Sequence, residues 1–215
     1  MSWIKGATKV FSYLIFLFVS VAIMLEVIFR VLPTTTPVDL QSVTSEKDIL
    51  RFKAHQTGVF SLGSNFDRTV TKKTNNAGFY SSFNYDQAKS PKIMIIGDSY
   101  VQAAQIKNSD TVGEVIRAND NQNDTYQMGV SGVALSQYIK MVAYAKNNYA
   151  PDSFVIVIVG NDFDESLCDY RIKLGTWCFD ENFELGVFLY DFIRIITNVN
   201  FLGFHYQMVF RFYYM

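Results

Sequence analysis

The pattern of apolar and polar positions divides the chain into three stretches of different character. No residue is charged from Val10 to Leu25 (VFSYLIFLFVSVAIML), and the apolar character runs on through Val31 and Leu32 to Pro33. That length suits a bilayer span, which takes about 20 residues. Glu26 and Arg30 interrupt its far end four positions apart, so they share a helical face and are placed to pair near the headgroups. A cleaved signal peptide has a shorter apolar core and a small-residue exit site, which EVIFRVLPTTTP does not offer. An uncleaved signal anchor is therefore expected over residues 1–33. Lys5 and Lys9 before the span are matched by Lys47 and Arg51 after it, so charge does not orient it. A cytoplasmic tail this short puts the body of a single-pass protein on the periplasmic or extracellular side.

The second stretch, residues 34–90, has no clear period. PTTTPVDLQSVTSEKD is polar and broken by Pro33 and Pro37, which reads as a tether. Beyond it Phe52, Phe60, Phe66, Phe79, Tyr80 and Phe83 are scattered among Gly, Ser and Asn, with short alternating pieces such as RTVTKK. This composition predicts an irregular layer covering the domain that follows. In the third stretch, residues 91–215, strands and helices alternate. KIMIIG, TYQMGV and SFVIVIVG are short apolar runs, and SFVIVIVG is apolar on both faces, as an interior parallel strand should be. Between them VQAAQIKNSDTVGEVIRAN has mixed helical character with a second start at Ser109-Asp110, and ALSQYIKMVAYAKNNYA is helical up to Pro151. The predicted fold class is α/β, a doubly wound parallel sheet preceded by one transmembrane helix. Ligands of such sheets bind beyond the carboxyl ends of the strands.

Composition narrows the functions. With 19 basic against 20 acidic residues and no long basic block, the chain has no electrostatic footprint for nucleic acid. Its 49% hydrophobic content suits a globular or membrane-linked protein. Cys168 and Cys178 are its only cysteines, too few for a thiolate zinc site. They leave one local disulfide or two separate thiols as alternatives.

The chemistry-bearing residues stand at the three strand ends: Gly97, Asp98 and Ser99 after the first, Gly129 to Gly132 after the second, and Gly160, Asn161 and Asp162 after the third. Taken singly, each has an ordinary explanation. Ser99 suits a helix N-cap, the glycines suit a tight turn, and Asn161-Asp162 suits an Asx turn. Asp98, Asp162 and Asp164 also offer carboxylate oxygens of the kind magnesium takes in a phosphatase. Taken together they offer a serine nucleophile, a backbone N–H uncovered by a side chain, and a neutral amide donor, which are the parts of acyl transfer.

Three blocks, IIGDSYVQA, MGVSGVAL and VIVGNDFDE, resemble those of the SGNH/GDSL hydrolase superfamily. The upstream TNNAGFYSS is similar to the Asn-x-x-Gly-Phe segment of its membrane-anchored members. The resemblance covers roughly residues 74–165. It implies Ser99 as nucleophile, with the Ser99 N–H, the Gly132 N–H and the Asn161 side chain as oxyanion donors. Asp98, with Gly97, is read as holding the turn, and neither cofactor nor metal is implied. The substrate class it suggests is an ester, on a small molecule or on cell-surface polysaccharide.

The departure is the general base. Members of the superfamily draw it from an Asp-x-x-His block, and this chain has none; its histidines are His55 and His205. LGVFLYDFIRIITNVNFLGFHYQMVFRFYYM, read as apolar helix, resembles the insertion that anchored members place before their later strands. The expectation is therefore a truncated or split form of a membrane-anchored esterase or O-acyl transferase, its Asp-x-x-His supplied by a second polypeptide. The alternative is a membrane-tethered binding or assembly protein that keeps the scaffold without the base.

Overall fold

A computed structural model of the chain describes residues 2–43, 49–85, 92–120 and 123–168. Helix α1 (Ser2–Val31) contains a 23-residue apolar stretch, Lys9–Val31, with mean hydropathy 2.5 and none of it buried against the rest of the protein. At about 1.5 Å per residue it rises about 34 Å, enough for a hydrocarbon core of about 30 Å. The helix ends ahead of Pro33, which disfavours helical backbone in the residue before it. Arg30 Nε donates to Glu26 Oε1 at 2.8 Å, so the expected pair forms on one exposed face.

The segment read as a tether lies along a sheet edge instead. β1 (Leu40–Gln41) pairs with β2 (Arg51–Phe52), and Thr36 exchanges backbone hydrogen bonds with Val59 at 2.9 and 3.0 Å. Thr35 Oγ1 donates to Ser61 O and accepts from Ser61 N. The threonines that gave the segment its polar look supply the hydroxyls that bind it to a neighbouring strand.

The layer expected to be irregular contains a regular hairpin, β3 (Thr57–Leu62) with β4 (Arg68–Lys73), in register from Thr57↔Lys73 to Leu62↔Arg68. RTVTKK alternates because β4 turns Val70 and Lys72 inward and its other residues outward. Its partner TGVFSL does not read as a strand, because glycine and serine dilute its apolar pattern. Phe79 and Tyr85 from the following segment are buried in one core with Met94, Ile96, Tyr126 and Met128, and Tyr85 stacks on Tyr126 with centroids 4.2 Å apart. The cover and the α/β unit therefore share a single hydrophobic interior. Asn75 shapes the chain into that position: its Oδ1 accepts from Ala77 N and Phe79 N, and its Nδ2 donates to Phe83 O.

The α/β unit runs through β5 (Lys92–Gly97), α2 (Ser99–Gln102), a 3-10 turn (Asn108–Asp110), α3 (Val112–Asn119), β6 (Asp124–Gly129), α4 (Leu135–Tyr149), β7 (Ser153–Ile156) and α5 (Asn161–Asp164). Its sheet is parallel with order β6-β5-β7, so the protein is mixed α/β with a three-stranded parallel sheet and one apolar N-terminal helix. β5 is central, and Met94, Ile95 and Ile96 are sealed on both faces. The chain steps from β5 to β6 on one side and then crosses to β7 on the other, which creates a switch point between β5 and β7.

The first connection divides as the second start at Ser109-Asp110 predicts: Ala103 ends α2 in a left-handed conformation at φ 47°, and the 3-10 turn Asn108–Asp110 leads into α3. One element limit differs from the sequence reading. SFVIVIVG forms a strand only to Ile156, although Val157 N still donates to Ile96 O at 2.8 Å. Among the described residues β7 is an edge strand, and Val155 and Val157 are only half-buried. The apolar helix expected within residues 185–215, together with Cys178 and His205, lies outside the described residues.

Candidate active site

Three turns leave the same edge of the sheet. Gly97 and Gly129 are register partners at the ends of β5 and β6, and Ile96 and Ile156 are partners on β5 and β7. Neighbouring strands lie about 4.8 Å apart, so the segments bearing Ser99, Gly132 and Asn161 emerge side by side.

After β5 the N-cap of α2 is Asp98, not Ser99: Asp98 Oδ1 accepts from Tyr100 N at 2.9 Å. This frees the serine from the capping role that its position suggested. Ser99 is exposed, and its Oγ donates to Asp98 Oδ2 at 3.3 Å. Asp98 itself is only 3% exposed, and burial raises its carboxyl above the ordinary range against the opposing bonds from Tyr100 N and Ser99.

The turn after β6 is fitted to α2. A side chain at Gly129 would put its Cβ 2.2 Å from Gln102 N, so only glycine lets the helix that starts at Ser99 rest on the end of β6. Gln102 Oε1, buried under the turn, accepts from Ser131 N and ties the glycine block to α2. Gly132 follows at φ +80°, a left-handed conformation that suits glycine, and a Cβ added there would meet open space.

After β7 the side chains of Asn161 and Asp162 diverge. Asn161 is exposed, and its Nδ2 donates to Glu165 Oε1 at 2.9 Å. Asp162 is completely buried; its Oδ2 accepts from Val159 N at 2.8 Å and from Tyr138 OH at 3.1 Å. Its Oδ1 is buried with no hydrogen-bond partner. Burial first, with the charges of Asp98 and Glu165 added, pushes the Asp162 carboxyl up to about 7. Tyr138 is likewise raised, by burial and then by Asp162 and Asp98.

The alternative magnesium set does not assemble. Asp162 points into the interior while Asp164 is exposed, and among the described residues no group of three or more His, Cys, Asp or Glu side chains is placed to hold a metal ion. His55 lines a polar cleft of about 440 Å³ with Lys73, Asn75, Asn84 and Asn108, and none of Ser99, Gly132 and Asn161 borders it. Cys168 is disulfide-bonded.

Sequence reasoning passed over Gln102, Tyr138 and Lys72. Lys72 is 1% exposed, and its Nζ donates to Ala103 O at 3.2 Å and Ile106 O at 2.9 Å, which clamps the loop behind α2 onto the hairpin. Burial lowers this amine to about 8, although Asp110 and Glu114 pull the other way. Its signal was the inward phase of β4, which becomes legible only once the hairpin partner is known. No protein-family model matches the chain, and no curated protein matches it in sequence.

Proposed function

We propose that the chain is a membrane-anchored serine esterase or O-acyl (acetyl) transferase of the SGNH type, acting on ester groups such as those of cell-surface polysaccharide. The observation that carries this reading is the convergence of Ser99, Gly132 and Asn161 at one edge of a parallel sheet, on turns that flank its central strand. Strand order supports it, since the switch point between β5 and β7 lies between the serine and the asparagine. The apolar helix α1 supports the anchor, and the reading puts the body on the periplasmic or extracellular side.

In this mechanism Ser99 Oγ attacks the ester carbonyl carbon, and the developing oxyanion is held by the N–H groups of Ser99 and Gly132 and by Asn161 Nδ2. The Asn161 amide first leaves Glu165. Such an exposed pair four residues apart on a helix is worth about 0.2–0.5 kcal/mol, so the exchange is cheap beside the about 3–4 kcal/mol typical of one oxyanion donor. No Asp-x-x-His is present in the 215 residues, so the serine proton needs another acceptor.

The test is covalent. The detergent-solubilised full chain is incubated with a fluorophosphonate probe, with imidazole added as a soluble base, and the adduct is mapped by mass spectrometry. One adduct on Ser99, lost in Ser99→Ala, is expected. Equal labelling of the two proteins, or none of either, overturns the assignment and favours a tethered scaffold without chemistry.

A further inference from the structure

We infer that Asp98 is the proton acceptor for Ser99, which makes the Gly-Asp-Ser turn a self-contained serine–aspartate pair; the inference rests on Ser99 being the nucleophile. The geometry divides the carboxylate between two tasks. Oδ1 is fixed by Tyr100 N at 2.9 Å, and this directs Oδ2 to Ser99 Oγ at 3.3 Å. That separation is long for an O–H···O bond, and catalytic hydrogen bonds are often long until substrate is bound. The serine is exposed while the aspartate beneath it is nearly sealed. Substrate therefore reaches Oγ, and water does not solvate the base freely.

The surroundings favour proton uptake. Burial raises the Asp98 carboxyl, and a carboxylate with higher proton affinity is a better base near neutral pH. The groups facing it are Ser99 and Tyr100 N on α2, Asp162 on α5 and Tyr138 on α4, none of them cationic. Among the described residues the Ser99 hydroxyl has this carboxylate as its hydrogen-bond acceptor. His55 borders the hairpin cleft instead.

The reaction balances without a further reagent. Ser99 Oγ bonds to the ester carbon as its proton moves to Asp98 Oδ2 and the carbonyl π pair moves onto oxygen. Return of that pair breaks the bond to the leaving oxygen, which takes the proton from Asp98 and departs as an alcohol. Water, or an acceptor hydroxyl, then attacks the acyl-serine and gives its proton to Asp98. Ser99 leaves carrying that proton, and the site is restored.

The experiment compares fluorophosphonate labelling rates of Ser99 in wild type, Asp98→Asn and Ser99→Ala, without imidazole and from pH 4 to pH 9. Asparagine retains an oxygen for the Tyr100 cap, and a cooperative thermal transition verifies folding of each variant. Labelling in Asp98→Asn should fall by about 10²-fold or more. Wild type should show an acid limb that persists in Asp162→Asn, which removes the buried carboxyl of the turn after β7. Labelling of Asp98→Asn at the wild-type rate, or loss of the limb in Asp162→Asn, overturns the inference. Wild type that labels only with added imidazole also overturns it, while Ser99 stands as nucleophile. Undiminished labelling in Ser99→Ala removes the reading beneath it.

Discussion

The turns after β5 and β7 each place an aspartate beside a polar residue at the end of a parallel strand, and they use it in opposite ways. Asp98 caps a helix that begins at the surface and meets an exposed serine hydroxyl. Asp162 is withdrawn into the core, where its Oδ2 accepts from a backbone amide and a tyrosine while its Oδ1 is left without a partner, and the polar residue beside it, Asn161, is turned out toward Glu165. The same carboxyl group thus lies against an exposed hydroxyl in one turn and serves as an internal tie in the other. Burial of the partner separates the two: Ser99 is open to solvent, and Tyr138 is not.

Asp162→Ala removes the internal tie. It strands the Tyr138 hydroxyl and the Val159 amide in the core, and with about 1–3 kcal/mol for each buried group left unsatisfied, unfolding of the detergent-solubilised chain should shift by several kcal/mol. A shift no larger than that of a typical surface substitution would remove Asp162 from the role of internal tie.

A weaker perturbation is pH. The folded carboxyl of Asp162 titrates at about 7, above its ordinary value of 3.8, so between these limits the folded protein binds more protons than the unfolded one. Its contribution to stability is complete below about pH 4 and is lost as pH rises toward 7. Asp98 acts in the same direction. Asp162→Asn should flatten the slope, with its midpoint gaining on wild type from pH 4 to 7 and by no more above that; parallel curves would count against a buried, titrating carboxyl. Asn161→Ala should have the smallest effect on stability, within about 0.5 kcal/mol, since it removes only an exposed bond to Glu165. A larger loss would mean that the amide is part of the structure of the turn.

Legibility from sequence followed the range of the interactions. KIMIIG is β5 to the residue, and the second helix was expected within one residue of α4, because an apolar run ending in glycine and a helix running up to Pro151 are local signals. The ends of the tether and the hairpin were hidden. Thr35 and Thr36 look like solvated residues until β3 lies beside them, and β3 does not look like a strand until β4 does. The third strand was read too long, because Val157 and Val159 continue its apolar pattern while the Asp162 carboxylate has taken the Val159 amide. Ser99 suits an N-cap by its place at a strand-to-helix turn, yet the cap belongs to its neighbour Asp98.

The sequence alone sets the order of elements within the α/β unit and the residue types at the ends of β5, β6 and β7. Period, glycine and proline act over a few residues, and a parallel sheet puts all its strand ends on one edge. The tertiary structure decided which carboxylate is buried, which hydroxyl it meets and how readily it holds a proton. Tyr138 and Asp162 are 24 positions apart, and Gln102 and Ser131 are 29. Proton affinity depends on the solvent that packing removes, and no local pattern of residues records that.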